Sequence, residues 1–389
     1  MKPRAIMRTP PSFPFSRYQD ATGPEQILSF YDPVSQMRAV IVIDTTAFGM
    51  SAGGVRMLPD LSVEEMVRLA RAMTYKYLML EFPAGGAKAG IWYDPATQDR
   101  QAVLDAFLQV LQPLYAKRTY YPGADMGTSD DDFLPLRNAA GKRRYSGLRT
   151  KYFEGLPLED QLTGFGVVES ALVAAKAFQL PVRGATVAIE GFGKVGGGAT
   201  RFFIRAGARV VAVSTLAGTR HDPRGLDVEQ LLELRQEYGD EAVRHYRGGR
   251  LLSRRALFTL PVDILIPGAR PDVIHAKNVE RVQARLVVPA ANIPFRPSIA
   301  NRLSRRGVGV VPDFVSNGGG VLAALADIQG LGTEKSFAFV SEHIRKNTRL
   351  VLSRSKRSGC TPFEAALRIV RERWKKTART RQPLVADDA

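Results

Sequence analysis

The sequence predicts an α/β protein of two domains, the second built on a doubly wound sheet. Three observations lead to this fold class: the length of the chain, a mixture of strand and helix patterns in its first third, and a regular alternation of the two after residue 184. A chain of 389 residues exceeds one typical compact core, so two domains are expected. Its 45% hydrophobic and 24% charged residues are ordinary for a folded globular protein.

The first third contains a predicted strand followed by a predicted helix. Residues 38–45 include the β-branched run VIVID, which is typical of a strand. Residues 62–80 carry apolar side chains at helical spacing, and Ser62 with Glu65 forms a capping-box pair at the start of this helix. Lys76 falls on the apolar face of the same helix, three residues after Met73.

Beyond residue 184, strand patterns alternate with helical ones. Residues 141–160 before this region are basic and aperiodic, which suits a connection between domains, and a helix is expected from about residue 166 to 178. The alternation predicts a parallel sheet with helices on both faces. After residue 318 the pattern is helical through residues 362–377, and a disordered tail is expected beyond Arg381. The predicted strands read ATVAIE, ARVVAVS, VDILIP, RLVVPA and VGVVPD, and a further helix covers residues 228–238.

Composition and motif content argue against several classes of protein. No apolar run approaches the about 18 residues of a membrane span, and prolines interrupt the N-terminal lead-in where a signal peptide needs an apolar stretch. The single cysteine, Cys360, cannot form an internal disulfide, and the four histidines lack metal-ligand spacing. We therefore expect a cytoplasmic protein that binds no membrane and no metal.

The net charge of +17 permits non-specific attraction to polyanions. The basic residues fall in separate clusters, without the interleaved aromatic residues that stack on bases and without a zinc-finger or RNA-recognition motif. We interpret these clusters as solvated surface faces, and we expect no specific nucleic-acid partner. A polyanion-binding protein stays as the alternative interpretation.

The segment VAIEGFGKVGGG, residues 187–198, places Gly191, Gly193 and Gly196 between a predicted strand and a predicted helix. In this context the first glycine permits a tight turn, the second lets a pyrophosphate approach the backbone, and the third allows close packing of helix on strand. The helix N-terminus then favours the anion. The motif predicts a Rossmann-like dinucleotide-binding domain, the alternative being a tight turn without a ligand.

The next strand ends at Ser214 and Thr215, where NAD-binding domains usually carry an acid for the ribose 2′-hydroxyl. Without that acid a 2′-phosphate is not repelled, and the nearby Arg220 is either a cation for this phosphate or an ordinary loop residue. The expected cofactor is therefore NAD or NADP.

Two titratable residues stand among small neighbours. Lys88 lies in the run AGGAKAG, where burial would lower the pKa of its amine toward neutrality and make it a general base. The alternative is a solvated lysine on a flexible surface loop. Asp125 lies in GADMGT and is a candidate for proton transfer, whereas Asp130 to Asp132 are expected at a helix N-terminus.

Together these segments resemble the glutamate/leucine/phenylalanine/valine dehydrogenase family, and its leucine dehydrogenase branch most closely. The resemblance extends from about residue 25 to residue 375. The segments that carry it, in the family's order, are AGGVRM (52–57), MTYK (73–76) with the Lys88 run, GADMGT (123–128), TGFGV (163–167), GFGKVG (191–196), DILIP (263–267), AAN (290–292) and PDFVSNGGGV (312–321).

The resemblance implies an NAD(P)-dependent amino-acid dehydrogenase and a homo-oligomer. It implies a substrate-binding and dimerisation domain over residues 1–160, completed by the C-terminal helices of residues 331–389, and a Rossmann-like domain over residues 161–330. The active site would lie in the cleft between them. Lys76 would hold the substrate carboxylate. After hydride transfer from Cα to the nicotinamide, a neutral Lys88 would activate water, and Asp125 would relay protons to the departing ammonia.

The same resemblance implies the other binding residues. The paired glycines Gly53 and Gly54 would contact the substrate, and Ala52, Gly123, Val321 and Ala324 would line its side-chain pocket. The cofactor would be bound by Gly191, Phe192, Gly193, Lys194, Val195, Gly196, Thr163, Ser214, Thr215, Ala269, Asn292 and Asn317.

The pocket residues predict an apolar substrate. Glutamate-specific members carry a lysine at the position of Ala52 and a serine at that of Ala324. This chain therefore has no cation at these positions to pair with the γ-carboxylate of glutamate. Burying the γ-carboxylate without a partner would cost several kcal/mol of binding free energy, so we expect discrimination against glutamate. The predicted substrate is therefore a branched-chain or aromatic amino acid. Because all four residues are small, an aromatic side chain would fit unless bulky neighbours refill the space.

The chain also departs from the family pattern at Thr215, at Pro289, where a glutamate is usual, and in a shortened basic connection over residues 143–155. These departures leave two alternatives to an ordinary dehydrogenase. One is a degenerate member that acts as a scaffold or binding protein, and the other is a biosynthetic enzyme for an unusual amino acid.

Overall fold

The computed structural model describes residues 15–139, 152–153 and 156–379. The predicted tail beyond Arg381 lies outside these residues, as do most of the N-terminal lead-in and most of the predicted connection. The chain divides into two compact units, one of Met1–Thr74 with Ala84–Leu136 and the other of Tyr75–Pro83 with Arg137–Ala389.

The first unit contains a five-stranded mixed sheet with strand order β1-β2-β4-β3-β5. Strand β2 pairs antiparallel with β1 and β4, whereas β3 pairs parallel with β4 and β5. The strand and the helix predicted in this region are confirmed within two residues at each end. The elements are β1 (Gln26–Tyr31), β2 (Arg38–Ile43), β3 (Ser51–Met57), α1 (Val63–Met79), β4 (Gly85–Ile91), α2 (Arg100–Ala116), β5 (Tyr120–Ala124) and α3 (Leu134–Ala139).

The capping box predicted at the start of α1 is half formed. The Glu65 backbone N–H donates to Ser62 Oγ at 3.1 Å, which satisfies one of the free donors at the helix N-terminus. The Glu65 carboxylate, however, binds Arg56 and leaves the reciprocal bond unmade. The ion pair replaces the reciprocal bond because a carboxylate binds a guanidinium more strongly than it binds a neutral N–H.

Each face of the first sheet is covered by a helix. On one face, the buried side chains Ala87, Ala89 and Ile91 of β4 join an apolar cluster with residues of α2 such as Leu104 and Phe107. Side chains alternate along a strand, so the even-numbered residues of β4 face α1 instead. This alternation separates the apolar core of the unit from the face that carries Lys88.

The second unit contains a seven-stranded sheet of order β11-β10-β9-β8-β12-β13-β14 and a separate two-stranded sheet, β6-β7. Its elements are β6 (Tyr152–Phe153), β7 (Leu156–Pro157), α4 (Leu158–Ala177), β8 (Thr186–Glu190), α5 (Lys194–Arg205), β9 (Arg209–Thr215), β10 (Gly218–His221), α6 (Val228–Tyr238), α7 (Ala242–His245), β11 (Arg250–Leu252), β12 (Ile264–Ile266), β13 (Leu286–Val287), α8 (Pro297–Arg305), β14 (Gly309–Val310), α9 (Asp313–Ser316), α10 (Gly319–Ile328), α11 (Thr333–Ser358) and α12 (Pro362–Arg379).

The predicted strands and helices after residue 184 are confirmed, with one correction to the arrangement of the sheet. The sheet is mixed, because β10 and β11 form an antiparallel edge beside β9, whereas the strands from β9 to β14 are parallel. Helix α4 begins at Leu158, eight residues before the predicted start. Its first turn carries Glu159 and Asp160 but buries Gln161, so polar and apolar residues do not separate into two faces as they do in an amphipathic helix.

The second unit also contains the C-terminal helices. Helices α4, α10 and α11 share an apolar core that includes Leu162, Leu322 and Ile344. The predicted domain limits at residues 160 and 330 therefore differ from the limits of the compact units, and the completion of the substrate domain by residues 331–389 stays a prediction. Within the described parts of the chain, no helix is both long and apolar enough to cross a bilayer.

Candidate active site

Lys88 lies in the middle of β4, where its side chain is only 3% exposed. Gly86 and Gly90 flank it on the same face of the strand. An ideal Cβ at Gly86 would lie 2.0 Å from the Ala70 carbonyl oxygen, and one at Gly90 would lie 3.0 Å from Met66 Sδ. The two glycines let α1 pack closely on the strand, and this packing buries the lysine. The alternative of a solvated lysine on a surface loop is therefore wrong.

Gly54, on the neighbouring strand β3, leaves room for the Lys88 amine to reach Asp125. An ideal Cβ at Gly54 would lie 2.9 Å from Lys88 Nζ and 2.9 Å from Asp125 Cβ, so a larger residue would displace both. Lys88 Nζ forms an ion pair with Asp125 Oδ2. Asp125 directly follows β5, which pairs with β3 on the side away from β4. The lysine thus extends across one strand, and the two predicted catalytic residues meet.

Arg56 belongs to the same cluster, although the sequence analysis did not assign it. It lies two residues after Gly54 on β3, so its side chain leaves the same face of the sheet. Its Nε and Nη2 donate to Asp125 Oδ2 and Oδ1 at 3.0 and 3.4 Å. Its Nη1 donates to Glu65 Oε1 at 2.6 Å. The available sequence signal was this spacing from Gly54, within the motif AGGVRM.

The charges of this cluster set the protonation of its members. Burial lowers the pKa of the Lys88 amine, and the Arg56 guanidinium lowers it further, against the opposing effects of Asp125 and Glu65. Burial alone would raise the pKa of the Asp125 carboxyl, but the positive charges of Lys88 and Arg56 outweigh it and hold that pKa well below its usual range. Because Arg56 stays charged, Asp125 stays ionised when Lys88 loses its proton. The cluster can therefore present a neutral amine beside a carboxylate.

The glycine-rich turn joins β8 to α5, as the sequence predicts. Gly191 has a φ of +83°, a conformation that favours glycine, and an ideal Cβ at Gly196 would lie 1.8 Å from the Gly191 carbonyl oxygen. At Gly193 the nearest heavy atom to an ideal Cβ is Arg235 Nη2, 3.8 Å away, so the backbone there is open. Phe192 is buried, and Val195 is half-buried in the first turn of α5. Lys194 is the first residue of that helix.

The strand order of the second unit creates a ligand position at this turn. The chain continues from β8 to β9 on one side and later to β12 on the other, and ligands of open α/β sheets bind at such a switch, beyond the carboxyl ends of the strands. Other predicted cofactor residues follow strands at the same edge: Ser214 and Thr215 end β9, Ala269 follows β12, Asn292 follows β13, and Asn317 follows β14.

The arrangement after β9 corrects the interpretation of Arg220. It lies on β10 and not in a loop, and its Nε and Nη2 donate to the carbonyl oxygens of Val243 and Arg244 at 2.8 and 3.2 Å. It is only 7% exposed, and its guanidinium binds backbone carbonyl groups and not a ligand at the surface. Thr215 Oγ1 donates to the Asp240 carbonyl oxygen at 2.6 Å and therefore stabilises the segment after α6.

A second polar cluster lies within the second unit, which includes the last residues of α1 from Tyr75 onward and the ends of β13 and β14. Lys76, buried as the sequence predicts, donates from Nζ to Asn292 Oδ1 at 2.9 Å. Asn317 Nδ2 donates to the same Asn292 oxygen and to the Ala291 carbonyl oxygen, each at 3.0 Å. Asp313, which the sequence analysis missed, is buried beside them and accepts the Ile293 N–H at 2.7 Å. Burial raises the pKa of the Asp313 carboxyl, and the Lys76 charge opposes this rise.

Glu190, the last residue of β8, is a further residue that sequence analysis missed. Its buried Oε2 accepts the backbone N–H groups of Gly268 and Ala269 at 3.1 and 3.2 Å. An ideal Cβ at Gly191 would lie 3.0 Å from Ala269 Cβ, so the turn and the segment after β12 are in contact. Burial raises the pKa of Glu190 to about 7, against the opposing hydrogen bonds from Ala269 and Gly268. The Glu190 carboxyl therefore links the end of β8 to the segment after β12, although its ionised form is destabilised by burial.

The predicted substrate positions fall in both units. Ala52 and Gly123 lie on β3 and β5 of the first unit, and Val321 and Ala324 lie on α10 of the second. All four are half-buried, and an ideal Cβ at Gly123 meets no heavy atom of the described residues within 4 Å. At Gly53, by contrast, an ideal Cβ would lie 1.7 Å from the Ala87 carbonyl oxygen, so packing within the sheet already requires this glycine.

The residues of the second unit fit a nicotinamide dinucleotide. The open backbone at Gly193 and the N-terminus of α5 suit a pyrophosphate. Asn317 Oδ1 and Ser214 Oγ are buried without a hydrogen-bond partner among the described residues, although buried polar atoms are nearly always paired. A carboxamide and a ribose are groups that would pair with such atoms. Thr163 on α4 lies close to α10, because an ideal Cβ at Gly320 would lie 3.2 Å from Thr163 Oγ1.

Comparisons with known proteins agree with this geometry. A family model described as glutamate/leucine/phenylalanine/valine dehydrogenase matches residues 155–374, and one described as the Glu/Leu/Phe/Val dehydrogenase dimerisation domain matches residues 24–138. Glutamate dehydrogenase of Aeropyrum pernix is 31% identical over 320 residues, 76% of each chain. Glutamate dehydrogenase of Thermotoga maritima is 35% identical over 289 residues, 71% of this chain and 68% of that protein.

A solved structure is similar along most of the chain. The hetero-hexameric glutamate dehydrogenase of Thermus thermophilus in its leucine-bound form has a TM-score of 0.81 and 26% identity, covering 92% of this chain and 90% of its own. The likeness therefore extends through both compact units.

Replacing Arg56 by methionine should destabilise the protein and move its pH dependence. Removing one partner of a buried ion pair costs about 3–5 kcal/mol, because Asp125 and Glu65 are left without their cation. The change also removes a positive charge that lowers the Lys88 pKa, so the limb of the rate profile that follows Lys88 should move to higher pH. Urea denaturation and kcat/KM against pH measure the two effects.

Arg100 offers a matched control, since it pairs with Asp132 at 2.5 Å in the same unit but is 26% exposed. Arg100→Met should cost about 1 kcal/mol or less and leave the rate profile in place. Equal costs for the two substitutions would contradict the role given to Arg56.

Glu190→Gln should stabilise the protein in a pH-dependent way. The pKa of Glu190 rises from 4.5 to about 7 on folding, so the folded state retains the proton and the native protein loses stability as pH rises through this window. The shift corresponds to about 3 kcal/mol, which the uncharged glutamine would recover above pH 7 and not below pH 4.5. Urea denaturation at pH 5 and pH 9 measures it. The exposed Glu233→Gln is the control, and an equal gain at both pH values would refute the assignment.

Proposed function

Because the chain belongs to the glutamate/leucine/phenylalanine/valine dehydrogenase family and is an NAD- or NADP-dependent amino-acid dehydrogenase, we propose that its substrate is an apolar L-amino acid, branched-chain or aromatic. The proposed reaction converts the amino acid, water and NAD(P)⁺ into the 2-oxo carboxylate, ammonium, NAD(P)H and a proton, and its reverse is reductive amination. The observation that carries the proposed chemistry is the buried ion pair of Lys88 and Asp125.

Lys88 acts as the general base in this proposal. The dinucleotide, when bound, supplies the acceptor for the hydride that leaves the substrate Cα. Neutral Lys88 then accepts a proton from the water that attacks the iminium carbon of the substrate, which its lowered pKa allows near neutral pH. Asp125, ionised beside Arg56, exchanges a proton with the substrate nitrogen. Arg56 is a positioning residue, because it orients Asp125 with two hydrogen bonds.

Lys76 is proposed to bind the substrate carboxylate. Its side chain is buried, and its ammonium donates a hydrogen bond to the amide oxygen of Asn292. Anions stabilise a buried ammonium, so a substrate carboxylate would bind favourably at this position. Asn317 bonds to the same Asn292 oxygen and fixes its orientation. The cofactor contacts proposed for Asn317, Thr163, Ala269 and the glycine turn belong to the same unit as Lys76.

The apolar substrate class is supported by the four proposed pocket positions. None of Ala52, Gly123, Val321 and Ala324 carries a charge, and Gly123 borders open space. Glutamate is the second candidate, because the relatives named above are glutamate dehydrogenases. The leucine dehydrogenase branch stays a prediction. A homo-oligomer is also proposed, since one matching family model is described as a dimerisation domain.

Lys88→Ala should lower kcat for amino-acid-dependent formation of NAD(P)H by about 10²–10⁴-fold, because the variant lacks the general base. Binding of the dinucleotide should persist, because the glycine turn belongs to the other compact unit. Absorbance of the reduced nicotinamide measures the rate, and fluorescence titration measures binding. Lys117→Ala, an exposed lysine of the same unit, is the control. A Lys88 variant with the activity of the Lys117 variant would refute the catalytic assignment.

A substrate series tests the pocket. We expect kcat/KM for glutamate to lie at least about 100-fold below that for the best apolar amino acid, since its γ-carboxylate would be buried without a partner. Gly123→Leu should lower kcat/KM for aromatic substrates more than for valine while leaving the unfolding free energy nearly unchanged, because no atom within 4 Å opposes the new side chain. Glutamate as the best native substrate would overturn the apolar assignment.

A further inference from the structure

Arg235, on helix α6, reaches the glycine turn from outside the motif. Its Nη2 is the nearest heavy atom to an ideal Cβ at Gly193, at 3.8 Å. Its Nη1 donates to Asp240 Oδ1 at 2.7 Å, in an ion pair whose side chains are 30% and 39% exposed. A cation therefore stands beside the second glycine of the turn, and solvent and ligands can reach it.

The Arg235–Asp240 pair is also tied to the end of β9. The Asp240 carbonyl oxygen accepts Thr215 Oγ1 at 2.6 Å, so the pair lies between Gly193 and the last residue of that strand. In a dinucleotide-binding domain the second glycine faces the pyrophosphate, and the end of this strand faces the adenosine ribose. Ser214 and Thr215 place no carboxylate there.

Two other arginines of this region are less suited to an anion. Arg220 donates to two backbone carbonyls and is almost fully buried. Arg244 donates to the Ala217 carbonyl oxygen at 3.3 Å and pairs with Glu241 at 3.2 Å, on the exposed side of α7. Of these three arginines, Arg235 alone combines partial exposure with a position beside the glycine turn.

We propose that Arg235 binds the 2′-phosphate of NADP and that Asp240 opposes it, so that this pair sets the preference between NADP and NAD. The inference rests on the proposed function, because it assumes a dinucleotide on the Gly191 turn. A 2′-phosphate carries more charge than a carboxylate and would replace Asp240 as the partner of the guanidinium. With NAD bound, which lacks this phosphate, Asp240 keeps its ion pair with Arg235.

The test separates the phosphate from the rest of the cofactor. Adenosine 2′,5′-bisphosphate and adenosine 5′-monophosphate are titrated calorimetrically into the full-length protein and into Arg235→Ala. We expect the variant to bind the bisphosphate at least about 10-fold more weakly while its affinity for the monophosphate changes much less. Arg235→Lys should lose less than Arg235→Ala. Asp240→Asn should bind the bisphosphate more tightly than the native protein.

Arg302→Ala is the control, because Arg302 forms a comparable surface ion pair with Glu280 in the same unit. The ratio of kcat/KM for NADP to that for NAD should fall in parallel with bisphosphate affinity in Arg235→Ala and stay constant in Arg302→Ala. Equal losses for both nucleotides, or no loss of bisphosphate affinity, would overturn the assignment while leaving the dehydrogenase intact. If the native protein bound neither nucleotide, the dinucleotide site itself would be refuted.

Discussion

The ion pair of Lys88 and Asp125 is the contact around which the first unit is built. An ammonium group inside a sheet is costly unless an anion neutralises it, and the anion here belongs to a segment two strands away. Gly54 must lack a side chain for the two groups to meet, and Arg56 must hold the carboxylate from its other side. The space that this buried ion pair needs explains glycines that would otherwise weaken a strand.

The second unit places several buried polar groups at the carboxyl ends of its parallel strands. Glu190 is buried with a raised pKa, and Asn317 and Ser214 each leave one buried atom without a partner among the described residues. Such groups lower the stability of the free protein, and a ligand that pairs with them recovers that free energy on binding. The buried polar groups at these strand ends therefore support the proposed cofactor site.

Substrate choice is separable from the shared chemistry of the family. The relatives at 31% and 35% identity are glutamate dehydrogenases, and the two family models match the segments that contain the ion pair and the glycine turn. Discrimination between substrate side chains depends on a few groups in the pocket. One buried charge without a partner costs more binding free energy than many apolar contacts contribute. Whole-chain identity therefore establishes the reaction class, whereas Ala52, Gly123, Val321 and Ala324 support the apolar proposal.

The sequence by itself determined the α/β class, the order of most strands and helices, the glycine turn and the candidacy of Lys88 and Asp125. These features follow from periodicity, from steric rules for glycine and from motif spacing, all of which are local. Tertiary structure alone decided that Lys88 lies on a strand, that Arg56 joins Asp125 to Glu65, that Glu190 is buried beside Ala269, and that Arg235 rather than Arg220 stands near the turn. Each of these depends on which strand faces and chain segments meet after folding, and such contacts between distant residues leave no mark in the spacing of one sequence.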